Sequence, residues 1–438
     1  MTIKINNYLT NNSDYYSKSF ISNDIAKKMY SEIINISNNI QNTISNLFKN
    51  NSANLYQKKT SINDGLVFNL HNSIFNNTHE KTTSYLNLNK ETRVSRQAYE
   101  KRSLLFGYDE LKMINDNLYN CKPEKGFKET FNYIDGTNIN IYNKNSKYGY
   151  TNINILGCTN SNSNGFLFTD NIDLNDNKSE IKLFYNLLNN NPFEKNEIIV
   201  VDRYYFSNKF IETCNKKQIR FIARIKSNTS TLNKFNNYLT GLGENKKCNY
   251  DRFNYKCKYN NNDIRIISFK SNNNYVHLGT NILNKNKNID YFKKYYKERW
   301  NAEIFFKHIK KNSSIDRITS HKLKTINNII LSSSINQLII DKILSVYNKL
   351  NNKQDKLINI SNFYKLYEEK LMYKIINKKL SEEEFIILIN LAISFYKKKK
   401  RDTISNERKA IMVYCKWHYK VIINLKKNKN ENKEEKID

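Results

Sequence analysis

Residues 296–310 combine one acid with cations and an aromatic side chain at regular spacing. The segment reads Tyr-Lys-Glu-Arg-Trp-Asn-Ala-Glu-Ile-Phe-Phe-Lys-His-Ile-Lys and contains the array Tyr296, Arg299, Glu303 and Lys310. At about 100° per residue in an α-helix, these four side chains fall within an arc of about 60°. One carboxylate framed by phosphate-binding groups predicts the cutting and joining of DNA. The plainer alternative is an exposed helix with an ion pair, because Arg299 and Glu303 have i,i+4 spacing.

Positive charge is concentrated around Glu303. Residues 291–312 contain seven Lys or Arg against two Glu. The whole chain of 438 residues has 72 Lys and Arg against 41 Asp and Glu, a formal net charge of +31. Because AT-rich codons inflate Lys together with Asn, Ile and Tyr, the local cluster carries more information than the total. It predicts a polyanionic partner, which is double-stranded DNA in this interpretation.

Two more acids follow segments with the pattern of β-strands. Asp135 follows the apolar run at 131–134, and Asp202 follows the run Glu197–Val201. Three carboxylates from separate elements, Asp135, Asp202 and Glu303, suit two Mg²⁺ (or Mn²⁺) ions about 4 Å apart, which activate the attacking oxygen and stabilise the leaving one. Such hard ions prefer oxygen ligands. Considered alone, Asp135 is equally compatible with a turn residue.

The elements around these acids have a recognisable order. The pattern predicts strands at 131–134, 151–158 and 165–169, a helix at 179–188, a strand at 197–201, a helix at 207–217 and a strand at 220–225. This β-β-β-α-β-α-β order is that of the ribonuclease H-like fold, an α/β class. In that fold one acid lies on the first strand, a second just after the fourth, and a third on a later helix.

The length favours more than one domain. We predict a helical, basic, DNA-binding region at 1–125, a catalytic core at 126–328 that is interrupted by a β-rich insertion at 226–288, and a helical C-terminal region with a Lys-rich tail at 329–438. In the first region Ser95 can cap a helix that carries Arg96 and Arg102, which are candidate DNA contacts. The alternative there is a solvated helix in a small bundle.

Several segments together resemble a known family. They are Phe-Asn-Tyr-Ile-Asp-Gly-Thr at 131–137, Ile-Ile-Val-Val-Asp-Arg-Tyr-Tyr-Phe-Ser at 198–207, Arg-Phe-Ile-Ala-Arg-Ile-Lys-Ser-Asn at 220–228, Thr-Asn-Ile-Leu at 280–283 and the basic segment at 94–102. With the Tyr-Arg-Glu-Lys array, this pattern is similar to the "IS-four" group of insertion-sequence DDE transposases. The resemblance covers roughly residues 90–345.

The resemblance implies cut-and-paste transposition of a mobile element. It implies that Tyr296, Arg299 and Lys310 grip phosphates near the transposon end, and that Trp300 stacks on an unpaired base. It also implies a β-strand insertion before the third acid and a homodimer assembled on transposon ends and target DNA. The Asn-rich inserts and the Lys-rich tail have no counterpart in the family pattern.

Several protein classes are disfavoured. Six Cys are scattered without a C-x-x-C pair, so neither a zinc ribbon nor a disulfide framework is indicated. The N-terminus has no apolar signal core, and the apolar run at 385–396 is too short to span a bilayer. We therefore expect a soluble, intracellular protein without a membrane partner.

Two alternative functions fit parts of this pattern. A catalytically silent, transposase-derived DNA-binding protein would keep the basic helices but would not need three metal-binding acids. A ribonuclease H-like, structure-specific nuclease would keep the acids but would not need Tyr296 and Lys310 around Glu303.

Overall fold

The structure is a computed structural model of the chain. It describes residues 21–49, 60–74, 77–120, 129–142, 150–160, 165–168, 179–190, 193, 197–225, 252–259, 262–271, 274–284, 286–316, 318, 320, 322–350, 358 and 360–394. The helices are α1 (Asn23–Leu47), α2 (Ile62–Asn72), α3 (His79–Leu88), α4 (Arg96–Ser103), α5 (Tyr108–Asn120), α6 (Glu180–Asn190), α7 (Asn208–Lys216), α8 (Ile289–Glu298), α9 (Trp300–Asn312), α10 (Leu323–Leu350), α11 (Ile360–Leu366), α12 (Met372–Ile376) and α13 (Glu382–Ser394). A π-helical turn, Tyr367–Leu371, joins α11 to α12.

One mixed β-sheet organises the middle of the chain. Its strands are β1 (Thr130–Tyr142), β2 (Tyr150–Asn160), β3 (Gly165–Phe168), β4 (Glu197–Val201), β5 (Arg220–Arg224), β6 (Arg252–Tyr259), β7 (Asn262–Ser271) and β8 (Asn274–Thr280). Their order is β3-β2-β1-β4-β5-β8-β7-β6. β1 runs parallel to β4, and β4 runs parallel to β5. The other neighbours are antiparallel.

The mixed α/β class predicted from the sequence is confirmed. All the strands predicted between 131 and 225 are present, and so are the two helices between them. The β-rich insertion predicted at 226–288 extends the same sheet, because its strand β8 pairs with β5. β6 was not predicted, and it pairs with β7 at the end of the sheet.

Helices cover both faces of the sheet. On one face, Phe292 of α8 packs in a buried cluster with Phe131 and Ile222. α9 lies on the same face farther along, where Phe306 packs with Ile155 of β2. On the other face, Phe210 of α7 contacts Phe221, the neighbour of Ile222 in β5, and Phe184 of α6 contacts Phe210. Since successive strand residues point to opposite faces, the sheet is buried on both sides.

The helices before and after the sheet pack together. α10 contacts α1, α2 and α5. The buried Asn336 of α10 donates to the Leu70 carbonyl oxygen of α2 (2.8 Å) and accepts from the Tyr367 hydroxyl (2.8 Å). These bonds satisfy a polar side chain inside the helical core. The division into three regions remains a prediction, since most described elements lie in one compact unit, Ile21–Asn352 with Ile360–Asn390.

α10 is a long, apolar helix of 28 residues. Among the described residues it is a helix with the length and composition to cross a membrane. However, 83% of its most apolar window is buried inside the protein. Its apolar surface is therefore covered by neighbouring elements.

Polar side chains cap the starts of two helices near the candidate residues. The Ser95 side chain accepts from the backbone N–H of Ala98 and caps α4 as predicted. The side chain of Asn288 caps α8 by accepting from Tyr291 N–H at 2.9 Å. Asp290 lies in the first turn of α8, where a negative charge is favoured by the helix dipole.

The expectation that the Tyr-Arg-Glu-Lys array occupies one uninterrupted helix is wrong. α8 ends at Glu298, α9 begins at Trp300, and Arg299 lies at the junction. There the N–H of Arg299 bonds to the Tyr296 carbonyl oxygen three residues back (3.2 Å), which is the tighter 3₁₀ pattern. The break lets the two helices pack on different parts of the sheet.

Gly65 of α2 provides a stability prediction, because α4 packs directly against it. A Cβ atom at position 65 would lie 2.6 Å from the Arg102 carbonyl oxygen, which is a backbone atom that cannot rotate away. We expect Gly65→Ala to lower the free energy of unfolding by about 1–3 kcal/mol, as overpacking does. Urea denaturation measures this.

The matched control is Gly107→Ala. A Cβ at Gly107 would have as its nearest neighbour, at 3.0 Å, only the movable carboxylate of Glu110. We therefore expect Gly107→Ala to lower the free energy of unfolding by less than Gly65→Ala does. Equal stability of Gly65→Ala and the unmodified protein would contradict the close packing of α2 on α4.

Candidate active site

Two of the predicted acids lie at the same edge of the sheet. Ile134 of β1 pairs with Val201 of β4 in the last register position of that parallel pair. Asp135 and Asp202 are the residues that follow them. Since parallel strands end on the same side, the topology alone brings these two acids to one place, the crevice at the carboxyl ends of neighbouring strands where α/β proteins bind ligands.

Arg299 joins the first and third acids. Its Nη1 atom donates to Asp135 Oδ2 at 3.0 Å, and its Nη2 atom donates to Glu303 Oε1 at 2.8 Å. Because guanidinium nitrogens are fixed in a planar fork, the two carboxylates are at most about 8 Å apart. The Arg299 side chain is only 14% exposed, so these charge-assisted bonds are shielded from water.

Asp202 is connected to the same group through Tyr296. The Tyr296 hydroxyl donates to Asp202 Oδ1 at 3.3 Å, and the Arg299 guanidinium lies 5.9 Å from the centre of the Tyr296 ring. Tyr296, Arg299 and Glu303, which span the junction of α8 and α9, thus lie at the sheet edge that carries Asp135 and Asp202. The structure brings all three predicted acids into one connected group.

The electrostatics of the group follow from its burial. Burial raises the pKa of Asp135, and the positive charge of Arg299 opposes that rise. Burial also raises the pKa of Tyr296 to about 12, with a further contribution from the charge of Asp202. Tyr296 is therefore a neutral hydrogen-bond donor at neutral pH.

The remaining candidate DNA contacts lie in different environments. Trp300 is 59% exposed at the start of α9, next to the acids. The Lys310 amino group donates to the Asn138 carbonyl oxygen at 2.8 Å and lies 3.7 Å from Asp316 Oδ1. Trp300 is thus open to a partner, whereas Lys310 already has partners within the protein.

The two arginines of α4 are less available than the sequence indicated. Arg96 forms ion pairs with Glu80 and Glu100. Arg102 is only 3% exposed, and its Nε atom donates to Thr60 Oγ1 at 3.4 Å. A buried guanidinium does not reach DNA in this conformation, because α4 packs on α2 through that side.

Sequence reasoning did not single out Glu180. It is the first residue of α6, and the Tyr205 hydroxyl donates to its Oε1 atom. Its carboxyl carbon lies 2.1 Å from the place where a Cβ atom of Gly136 would be. The available signal was an acid at the start of the helix after the third strand, together with a glycine directly after the first predicted acid.

The donor chemistry of the group suits a hard divalent cation. Among the described residues, no three His, Cys, Asp or Glu side chains are close enough to hold a metal ion as they stand. Asp135 and Glu303 nevertheless offer oxygen ligands, and they already share one cationic group, the Arg299 guanidinium. The space between them therefore accepts positive charge.

Comparisons with known proteins give one family match, which lies in the middle of the chain. Residues 126–336 match the family model described as "Transposase DDE domain". A comparison with curated proteins gives no match. Among solved structures, the chain is similar to the cryo-EM structure of a piggyBac transposase synaptic complex with hairpin DNA. That similarity has a TM-score of 0.37 and 11% identity over 82% of each chain. The family match covers slightly less than half of the chain and contains Asp135, Asp202 and Glu303.

Proposed function

We propose that this protein is a metal-dependent DNA transposase that cleaves and joins DNA strands at the ends of a mobile element. The observation that carries the proposal is the connected group of Asp135, Asp202 and Glu303 around Arg299, inside the segment that matches a transposase DDE domain. The strand order β3-β2-β1-β4-β5, with its parallel β1, β4 and β5, supports a ribonuclease H-like core.

Asp135, Asp202 and Glu303 are the residues that would hold Mg²⁺ or Mn²⁺. When bound, two such ions activate the attacking oxygen and stabilise the leaving oxygen of a phosphodiester. Asp135 and Asp202 contribute rigidity, because Asp135 lies within β1 and Asp202 directly follows the buried strand β4. Glu303 comes from α9, whose buried Phe306 packs on the sheet, and its carboxylate accepts from Arg299.

Arg299 and Trp300 would contact the DNA. Arg299 presents a planar fork that suits a phosphate as well as a carboxylate. The exposed Trp300 beside it offers an aromatic face on which an unpaired base can stack. The Tyr-Arg-Glu-Lys assignment, and assembly of a homodimer on transposon ends, belong to this proposal.

The experiment uses the DNA that flanks the gene on both sides. We expect the purified protein with Mg²⁺ to cut a supercoiled plasmid carrying both flanks at defined positions near their inner ends. We expect EDTA to stop cutting, because it removes the divalent metal ion. The isosteric change Asp202→Asn should also stop cutting, because an amide is a poorer and uncharged metal ligand.

Two controls define the outcome. A plasmid without the flanks tests sequence recognition, and Glu212→Gln changes an exposed acid of α7 in the same way. Binding of the flanks without cutting would favour the catalytically silent DNA-binding protein. Cutting of branched DNA regardless of sequence would favour a structure-specific nuclease.

A further inference from the structure

Glu180 approaches the candidate active site from the face of the sheet opposite to α9. Asp135 and Gly136 are consecutive residues of β1, so their side-chain directions are opposite. Gly136 has no side chain, and the Glu180 carboxylate occupies that place, with both of its oxygens within 2.5 Å of where a Cβ would be. Any other residue at 136 would displace this carboxylate from the strand.

The carboxylates of Glu180 and Asp135 border the same residue. The Gly136 N–H donates to Asp135 Oδ1 at 3.0 Å, and the Glu180 carboxylate covers the Gly136 Cα atom. The N and Cα atoms of Gly136 are joined by a bond of about 1.5 Å, so the carboxylates of Asp135 and Glu180 are separated by roughly 8 Å or less. The charge of Glu180 also contributes to the raised pKa of Asp135.

The position of Glu180 is fixed by the segment that carries the second acid. The Tyr205 hydroxyl donates to Glu180, and the Tyr205 N–H donates to the Asp202 carbonyl oxygen at 3.2 Å. Tyr205 is 1% exposed and Glu180 is partly buried, so this contact is partly shielded from water. Glu180 is thus adjacent to the strand of Asp135 and bonded to the turn that follows Asp202.

Beyond Ile134, β1 is no longer paired with β4, so side chains from the two faces of the sheet can approach each other at that edge. Pairing with β4 ends at Ile134, whereas β1 continues to Tyr142. Side chains from the two faces are therefore not separated there by a continuous β1–β4 ladder. At the end of the β1–β4 pairing, Asp135 therefore lies on one face of the sheet and Glu180 on the other, with no β4 residue paired to β1 between them.

We propose that Glu180 is a fourth acidic residue of the metal-binding group, which holds or orients a divalent cation next to Asp135. This inference rests on the proposed metal-dependent function. Glu180 acts by its charge, and Tyr205 keeps that charge in place. Its contribution differs from a purely structural contact, because a neutral residue of the same shape would keep the bond to Tyr205 and lose the attraction for the cation.

The test is Mn²⁺ binding to the full-length, DNA-free protein, measured by electron paramagnetic resonance of the free ion. We expect Glu180→Gln to weaken Mn²⁺ binding about tenfold, the lower end of the effect of groups that support metal ligands. The glutamine side-chain oxygen can still accept from Tyr205, so the melting temperature without metal should stay unchanged. Glu180→Ser is titrated as well, in case the glutamine variant does not fold.

The controls separate this inference from the proposed function. Glu212→Gln, an exposed acid on α7, should leave Mn²⁺ affinity unchanged, and Asp135→Asn should weaken it. If Asp135→Asn weakens Mn²⁺ binding and the folded Glu180 variant does not, Glu180 is only a structural residue and the inference is wrong. If the unmodified protein binds no Mn²⁺, the metal-dependent function and the inference both fail.

Discussion

Glu303→Ala is expected to abolish strand cleavage while leaving binding to transposon ends largely intact. Glu303 supplies one of the three carboxylates and contacts the protein chiefly through Arg299, which keeps its second partner, Asp135. The variant should therefore fold. Changing groups that merely support metal ligands costs 10–100-fold, so loss of a ligand itself should reduce the cleavage rate by more than about a hundredfold. Binding depends on phosphate contacts, which a lost negative charge does not weaken.

Two measurements on one preparation test this expectation. Cleavage of end-labelled DNA is followed by gel electrophoresis, and binding of the same DNA is followed by fluorescence anisotropy. Glu212→Ala, the same change at an exposed position of α7, is the control and should retain both activities. Cleavage by a clean Glu303→Ala preparation at the unmodified rate would refute the catalytic assignment.

Arg299→Lys is expected to impair the protein although its net charge is unchanged. The Arg299 fork reaches Asp135 and Glu303 with two different nitrogens, and a lysine ammonium is a point charge that cannot reproduce this geometry. It is also a poorer bidentate partner for a phosphate. A hydrogen bond to a charged group contributes about 1.5–3 kcal/mol, so losing one should weaken transposon-end binding or cleavage by roughly 10–100-fold.

The salt dependence of binding distinguishes the two roles of Arg299. If Arg299 grips a phosphate, the variant should bind more weakly while the number of released counterions stays nearly the same, since the charge is retained. If Arg299 only organises the acids, binding should be unchanged and cleavage alone should fall. Arg93→Lys, at an exposed position before α4, is the matched control. Full binding and full cleavage by Arg299→Lys would contradict both roles.

Much of the fold was predictable from the chain because local patterns carried it. β4 has an unbroken apolar run at 198–201 and β5 has one at 221–223, as expected for strands that are buried on both faces. Helix α6 has apolar residues at helical spacing, and Ser95 caps α4 by local hydrogen bonding. β6 was missed although its residues, Arg-Phe-Asn-Tyr-Lys-Cys-Lys-Tyr, alternate between polar and apolar or aromatic types, which is the period of a β-strand.

The sequence by itself determined which acids are candidates and in which order they occur along the chain. Asp135 and Asp202 could be placed together in advance, because two parallel strands that end at the same edge must bring their next residues together. The type of residue around Glu303 also indicated a polyanionic partner, because charge and aromatic content do not depend on the fold.

Only the tertiary structure decided how these side chains meet. The break at Arg299 depends on two helices that pack on different parts of one sheet, which no local spacing reveals. Likewise, Arg102 looked available for DNA in the sequence, but the structure buries it against α2. That helix lies 30 or more residues earlier in the chain, so the local sequence around Arg102 does not reveal the contact. Glu180 became part of the group because Gly136 leaves space for it. Contacts between residues that are distant in sequence depend on packing, and packing is a property of the whole core.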